Sequence, residues 1–121
     1  MCSFVQVQEE KTRKALATQT VWVMDSGCSK HMTHKKNLLG HFVEKAGPSV
    51  TFGDNSKGHT KGYGTLETNH VSISNVSYVD GLKHNLLSIS QFCDNGFSVK
   101  FDAQGCRVKN VNSKEVLLLG N

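Results

Sequence analysis

Proline is almost missing from this chain: its 121 residues hold one, against 11 glycines, and no segment is of low complexity. A proline-rich linker or ligand is therefore excluded. Long apolar runs are missing too. The longest is four residues, far below what a bilayer span or a secretory leader needs. No membrane partner is expected, and a cytoplasmic setting is. The four cysteines, at 2, 28, 93 and 106, lack any paired short spacing. That argues against a zinc ribbon or a disulfide framework, and the four read as reduced thiols. Charge of one sign is weak as well. The formal net charge is +4, with one local cluster at Lys30, His31, His34, Lys35 and Lys36. So small a surplus reads as solvated surface, and nucleic acid is not an expected partner.

What is present has the composition of one globular domain. Residues 1–19 read as an N-terminal linker. Within them EEKTRKAL is charged, has a weak apolar face, and fits a disordered stretch or a short helix. From residue 20 the pattern turns strand-like. TVWVMD is apolar nearly throughout, as a strand buried on both faces would be. Leu38, Leu39, Phe42 and Val43 offer a small apolar cluster, as a helical turn or a docked loop. VTFGDNSKGHTKGYGTLE then reads as strand, turn, strand, with Gly62 and Gly64 expected to weaken the outgoing arm and leave it mobile.

Further on, HVSISNVSYV alternates on either side of Ser74-Asn75, which predicts a half-buried strand pair with a turn or bulge there. LLSISQFCDNG predicts a short helix carrying Leu86, Leu87, Ile89 and Phe92 on one face and closed by Asn95-Gly96. FSVKF and CRVKNV alternate about a turn, and NSKEVLLLGN adds a last strand. The expected fold is all-β, a small barrel or folded sheet with one short helix.

The chemistry concentrates in VWVMDSGCSKHMT. Three readings fit these residues. Asp25, held at the mouth of a strand and followed by a hydroxyl and a glycine, suits half of an acid-protease site. Cys28 with His31 suits a thiol and its base. Cys28, His31 and His34, with His41 as a fourth, suit a metal site, although the spacing matches no common closed one. Asp-Ser-Gly occurs once, so an acid protease built on it needs a second copy of the chain.

Taken in order, VWVMDSGCSKHMT, VTFGDNSKGHTKGYGTL and NVSYVDGLKHNLLSISQFC resemble the protease segment of a copia-type retrotransposon polyprotein, over roughly residues 20–93. The long block GLKHNLLSISQ is far more specific than the triplet. The resemblance implies a small closed retropepsin-like barrel that forms a homodimer. Asp25 would be catalytic, with Ser26, Gly27 and Cys28 supporting the active-site loop. The segment 50–64 would be a flap, its tip at Gly53, Asp54, Asn55, Ser56, Lys57 and Gly58. Leu86 and Leu87 would pack near the active Asp. Ser88 stands where retroviral relatives have Gly, and Asp80 where copia-type ones have Pro. Residues 94–121 would complete the dimer or begin the segment that precedes the integrase.

The expectation is thus an aspartic endopeptidase that cuts a Gag-Pol polyprotein, with itself and the polyprotein as partners. No metal and no cofactor are expected, and the setting would be cytoplasmic, within virus-like particles. The rival expectation is an inactive or domesticated relative that binds nucleic acid or zinc or serves as a structural module. Trp22, Phe52 and Tyr63 are its stacking candidates, although Trp22 is better placed as core.

Overall fold

The computed structural model describes residues 3–8, 18–67 and 72–120. Eleven strands appear there: β1 (Ser3–Gln8), β2 (Thr18–Asp25), β3 (Met32–Thr33), β4 (Leu39–Glu44), β5 (Ser49–Thr51), β6 (Lys57–Glu67), β7 (Ser72–Asp80), β8 (Asn85–Ser88), β9 (Phe97–Asp102), β10 (Gly105–Asn110) and β11 (Val116–Gly120). One α-helix, α1 (Ile89–Asp94), and a 3-10 turn (Lys36–Leu38) complete the set. The chain is mostly β, as expected.

Eight strands form one sheet in the order β1-β2-β8-β3-β7-β6-β4, with β5 also on β6. The path is open among the described residues, where a closed barrel was expected. Its end strands are β1 and β4, and no pairing joins them. The long β6 serves three partners: β5 on its first residues, β4 on its last, and β7 along its length. The edge strand β4 carries a bulge with His41 at φ 50, which blunts an otherwise free edge. Strands β9 to β11 form a separate three-stranded sheet. It shares the main core: Cys106 and Val108 are buried in one cluster with Trp22, Leu66, Leu87 and Phe92.

Several expectations change. Ser3–Gln8, assigned to a linker, is a strand paired antiparallel with β2, Val5 opposite Val21. EEKTRKAL lies outside the described residues. β2 is buried on one face only: Thr20, Trp22 and Met24 are buried, while Val21 is 50% exposed. Its other face carries Val23 and Asp25 to a cleft rather than to a second core. Trp22 is core, as read. Leu86 and Leu87 lie in β8, and the helix begins only at Ile89.

The glycines of β6 have a packing role. The strand alternates strictly, and its inward positions are Gly58, Thr60, Gly62, Gly64 and Leu66. A Cβ on Gly62 would strike the Phe42 ring and the Val43 carbonyl, and one on Gly64 would strike Leu39. These glycines let β4 side chains lie flat on the strand, a packing role that the sequence reading did not assign them. The bulge at Ser74-Asn75 is present, inside the single strand β7 where a strand pair was expected: Gly64 faces Val76 and Leu66 faces Ile73, with Asn75 at φ 60.

Cysteine chemistry also departs from the expectation of four reduced thiols. Cys106 is disulfide-bonded, while Cys28 and Cys93 are free thiols. Pairing depends on which strands the fold brings together, which sequence spacing does not display. No helix among the described residues is long and apolar enough to cross a membrane.

Candidate active site

Asp25 is the last residue of β2, and β2 runs parallel to β8 with Asp25 opposite Ser88. The chain then turns. The Gly27 N–H donates to Asp25 Oδ1 over 2.6 Å, and a Cβ on Gly27 would lie 3.1 Å from that same oxygen. A side chain there would crowd the carboxylate, so glycine suits the turn sterically. Ser26 is exposed and makes no hydrogen bond among the described residues.

The loop from 26 to 31 is held from β8 and α1. Ser88 Oγ donates to the Cys28 carbonyl over 2.8 Å, and the Ser88 N–H donates to His31 Nδ1 over 2.9 Å. The His31 N–H donates to Gln91 Oε1 over 2.8 Å, and Gln91 Nε2 donates to the Asn75 carbonyl at the β7 bulge. His31 is 2% exposed, and its ring lies 4.5 Å from that of Phe92. Burial, with Lys30 beside it, lowers the His31 pKa to about 4.

This bonding completes a helix cap in an unusual way. Ser88-Ile-Ser-Gln91 has the form of a capping box, and Ser88 Oγ does accept from the Gln91 N–H. The reciprocal bond, from the Ser88 N–H to the Gln91 side chain, is absent. His31 takes both groups instead. The loop after Asp25 thus occupies half of the helix cap, and disturbing one disturbs the other. His31 was expected only as a thiol's base or a metal ligand, and instead braces the loop; Ser88 and Gln91 had no expected site role. The Ser-x-x-Gln spacing was the available signal.

A cleft of about 910 Å³ opens beside Asp25. It is lined by Val23, Cys28, Met32 and Leu86 and by Val50 and Phe52 of the β5–β6 hairpin, the last two packed on the same small cluster as Cys28, Met32 and Leu86. Of the expected flap tip, Gly53, Asp54 and Ser56 line the cleft, while Asn55, Lys57 and Gly58 do not. Asn55 takes a turn position at φ 67, and Lys57 opens β6 opposite Thr51. Gly58 is buried under Phe52 and the Asp80 carbonyl. Asp54 Oδ1 accepts from the Ser56 hydroxyl and amide, and its Oδ2 lies 3.0 Å from Lys83 Nζ. The Ser56 bonds and Lys83 hold its carboxyl well below the usual carboxylate range. Leu86 lines the cleft; Leu87 points into the main core, 0% exposed.

The geometry disfavours a thiol dyad. Cys28 Sγ points to the Asp25 carbonyl, 3.8 Å away, and His31 Nδ1 is occupied by the Ser88 amide. Burial, then the Asp25 charge, pushes the Cys28 thiol up to about 11, away from the nucleophilic thiolate. The metal reading loses His31 for the same reason. Among the described residues, no three His, Cys, Asp or Glu side chains cluster closely enough to hold a metal ion.

The candidate site is therefore a carboxylate on a braced turn, lining a mostly apolar cleft together with the β5–β6 hairpin. This chain belongs to the family described as Pol polyprotein, beta-barrel domain, which matches residues 22–97. It is similar to the retrovirus-related Pol polyprotein from transposon RE1 of Arabidopsis thaliana, 34% identical over 106 residues, 82% of this chain and 7% of that protein. The RE2 polyprotein of the same plant is equally similar over the same length. A putative transposon Ty5-1 protein of Saccharomyces cerevisiae is 31% identical over 68 residues, 56% of this chain and 47% of its own. The chain thus spans less than half the length of each. No solved structure matches it. It is a retrotransposon Pol segment.

Proposed function

We propose that this segment is the aspartic endopeptidase of a retrotransposon polyprotein, completed by a second copy of itself. The observation that carries the reading is the placement of Asp25 on a glycine turn that lines one cleft with the β5–β6 hairpin. Asp-Ser-Gly occurs once, so the second carboxylate comes from a C2 partner. Exposed Phe101 and Leu119, 51% and 70% accessible, give the C-terminal sheet apolar surface suited to that partner.

In the dimer two Asp25 carboxyls would share one proton. The ionised one takes a proton from a water as the water attacks the peptide carbonyl. The protonated one supports the developing oxyanion and supplies a proton for the leaving nitrogen. The substrate would lie extended between the Asp25 loop and the β5–β6 hairpin, bound by strand-like pairing. Activity would favour mildly acidic pH, because one carboxyl of the pair must carry a proton. The substrate would be the polyprotein that contains this segment, and the setting the cytoplasm, within virus-like particles.

The test is cleavage of a polyprotein fragment by the wild type, Asp25→Asn and Cys28→Ser over a range of enzyme concentrations. Loss of cutting in Asp25→Asn, retained cutting in Cys28→Ser, and specific activity that rises with concentration support the reading. Cutting that survives Asp25→Asn, or absence of cutting by the wild type at any concentration or pH, overturns it.

A further inference from the structure

We propose that the cleft selects peptides bearing an acidic side chain close to the scissile bond, and that Lys30 reads that side chain. This rests on the endopeptidase reading above. Most of the cleft is apolar, with Val23, Met32, Val50, Phe52, Leu82 and Leu86 in its lining. Its charged groups are few. Among the described residues, the acidic groups that line it are Asp25 and Asp54, and the basic ones are Lys30, Lys83 and His84. Asp54 is matched by Lys83 at 3.0 Å and by Ser56. Asp25 is the reacting carboxyl and is bonded by the Gly27 amide.

Lys30 is left over. It follows Asp25 on the same loop, is exposed, and forms no ion pair among the described residues. Because Lys30 is exposed, water and salt screen its attraction for an anion in part, so the expected preference is modest. The backbone that carries Lys30 is braced, since its neighbour His31 is bonded to both Ser88 and Gln91. The charge is thus presented from a braced loop, five residues after the reacting carboxyl, and lines the same cleft. The fitting ligand is a carboxylate of the peptide, on a residue near the cut rather than at it, because the cleft lining is mostly apolar. With two copies, each contributes its own Lys30, so the preference appears on both sides of the scissile bond.

The experiment uses the fragment cut in the preceding test, shortened to a peptide. Glu, Gln or Lys is placed at one position at a time on either side of the cut, and kcat/KM is measured for the wild type, Lys30→Gln and Lys30→Glu. At the position that Lys30 reads, the wild type should favour Glu over Gln by about three- to fivefold, the range of a partly exposed charge pair. Lys30→Gln should abolish that ratio, Lys30→Glu should invert it, and high salt should shrink it. If all peptides are cut but the Glu/Gln ratio is the same in all three enzymes, or equals one at every position, the inference is wrong and the protease reading stands. If no peptide is cut, or cutting survives Asp25→Asn, the protease reading fails and this inference falls with it. Should Lys30→Glu fail to fold, the Lys30→Gln ratios decide alone.

Discussion

The backbone N–H of Ser88 donates to Nδ1 of His31 across 2.9 Å, although the two residues stand 57 positions apart. One end of this bond is the N-terminus of α1, and the other is the loop that presents Asp25. The bond requires a neutral imidazole, because a protonated ring has no acceptor. The pH and stability behaviour of the site follow from that requirement.

His31 makes stability fall with acid. Its pKa is lowered from 6.5 to about 4 in the folded chain, so between those values the unfolded state binds the extra proton. Its contribution is fully present above pH 6.5 and is lost as pH falls through 4, at no more than about 1.4 kcal/mol per pH unit. Urea unfolding from pH 7 to 4.5 should show this slope, reduced in His31→Asn. Titration of the His31 ring near 6.5 by NMR would contradict it. The proposed protease favours acid, so His31 sets a lower bound on its working range.

Ser88→Ala removes the helix cap and the bond to the Cys28 carbonyl together. A loss of about 1–3 kcal/mol in denaturant unfolding is expected. Ser90→Ala, which loses only a hydroxyl–hydroxyl contact, should cost clearly less. Equal losses would show that the Ser88 bonds contribute little.

Gly58→Ala should destabilise the chain by about 1–3 kcal/mol, since its Cβ would enter the space of the Asp80 carbonyl, Phe52 and Val79. Gly53→Ala is the matched control, because nothing lies within 4 Å of a Cβ there. Thermal unfolding of the two variants checks the contrast. A stable Gly58→Ala would mean that the hairpin does not pack as described.

Cys28 should be a slow thiol. Raised from 9.0 to about 11, it carries about a hundredfold less thiolate near pH 8 than it does in the unfolded chain. Alkylation by iodoacetamide, followed by mass spectrometry in native buffer and in urea, measures the ratio. Fast native labelling would reopen the thiol reading.

Much of this was legible along the chain because it rests on local chemistry. The hairpin from Ser49 to Glu67 follows from turn residues at 53–56 between strand formers. The bulge at Asn75 shows as a break in alternation, and α1 ends at Asn95-Gly96, with Gly96 at φ 85. Asp25 stood out by its neighbours. What was not legible is pairing between distant segments. The run 86–92 has helix-like spacing, yet Leu86 and Leu87 are strand because β2 offers a parallel partner. Gly62 and Gly64 read as weak points until Phe42 and Leu39 are seen lying on them.

The sequence by itself determined the β character, the turns, and the one Asp-Ser-Gly, because these depend on backbone preference and on residue identity at short range. The tertiary structure alone decided what that triplet is attached to. His31, Ser88 and Gln91 are ordinary polar residues in sequence. They became the frame of the site only when β8 docked beside β2 and buried them, where each polar group had to find a partner.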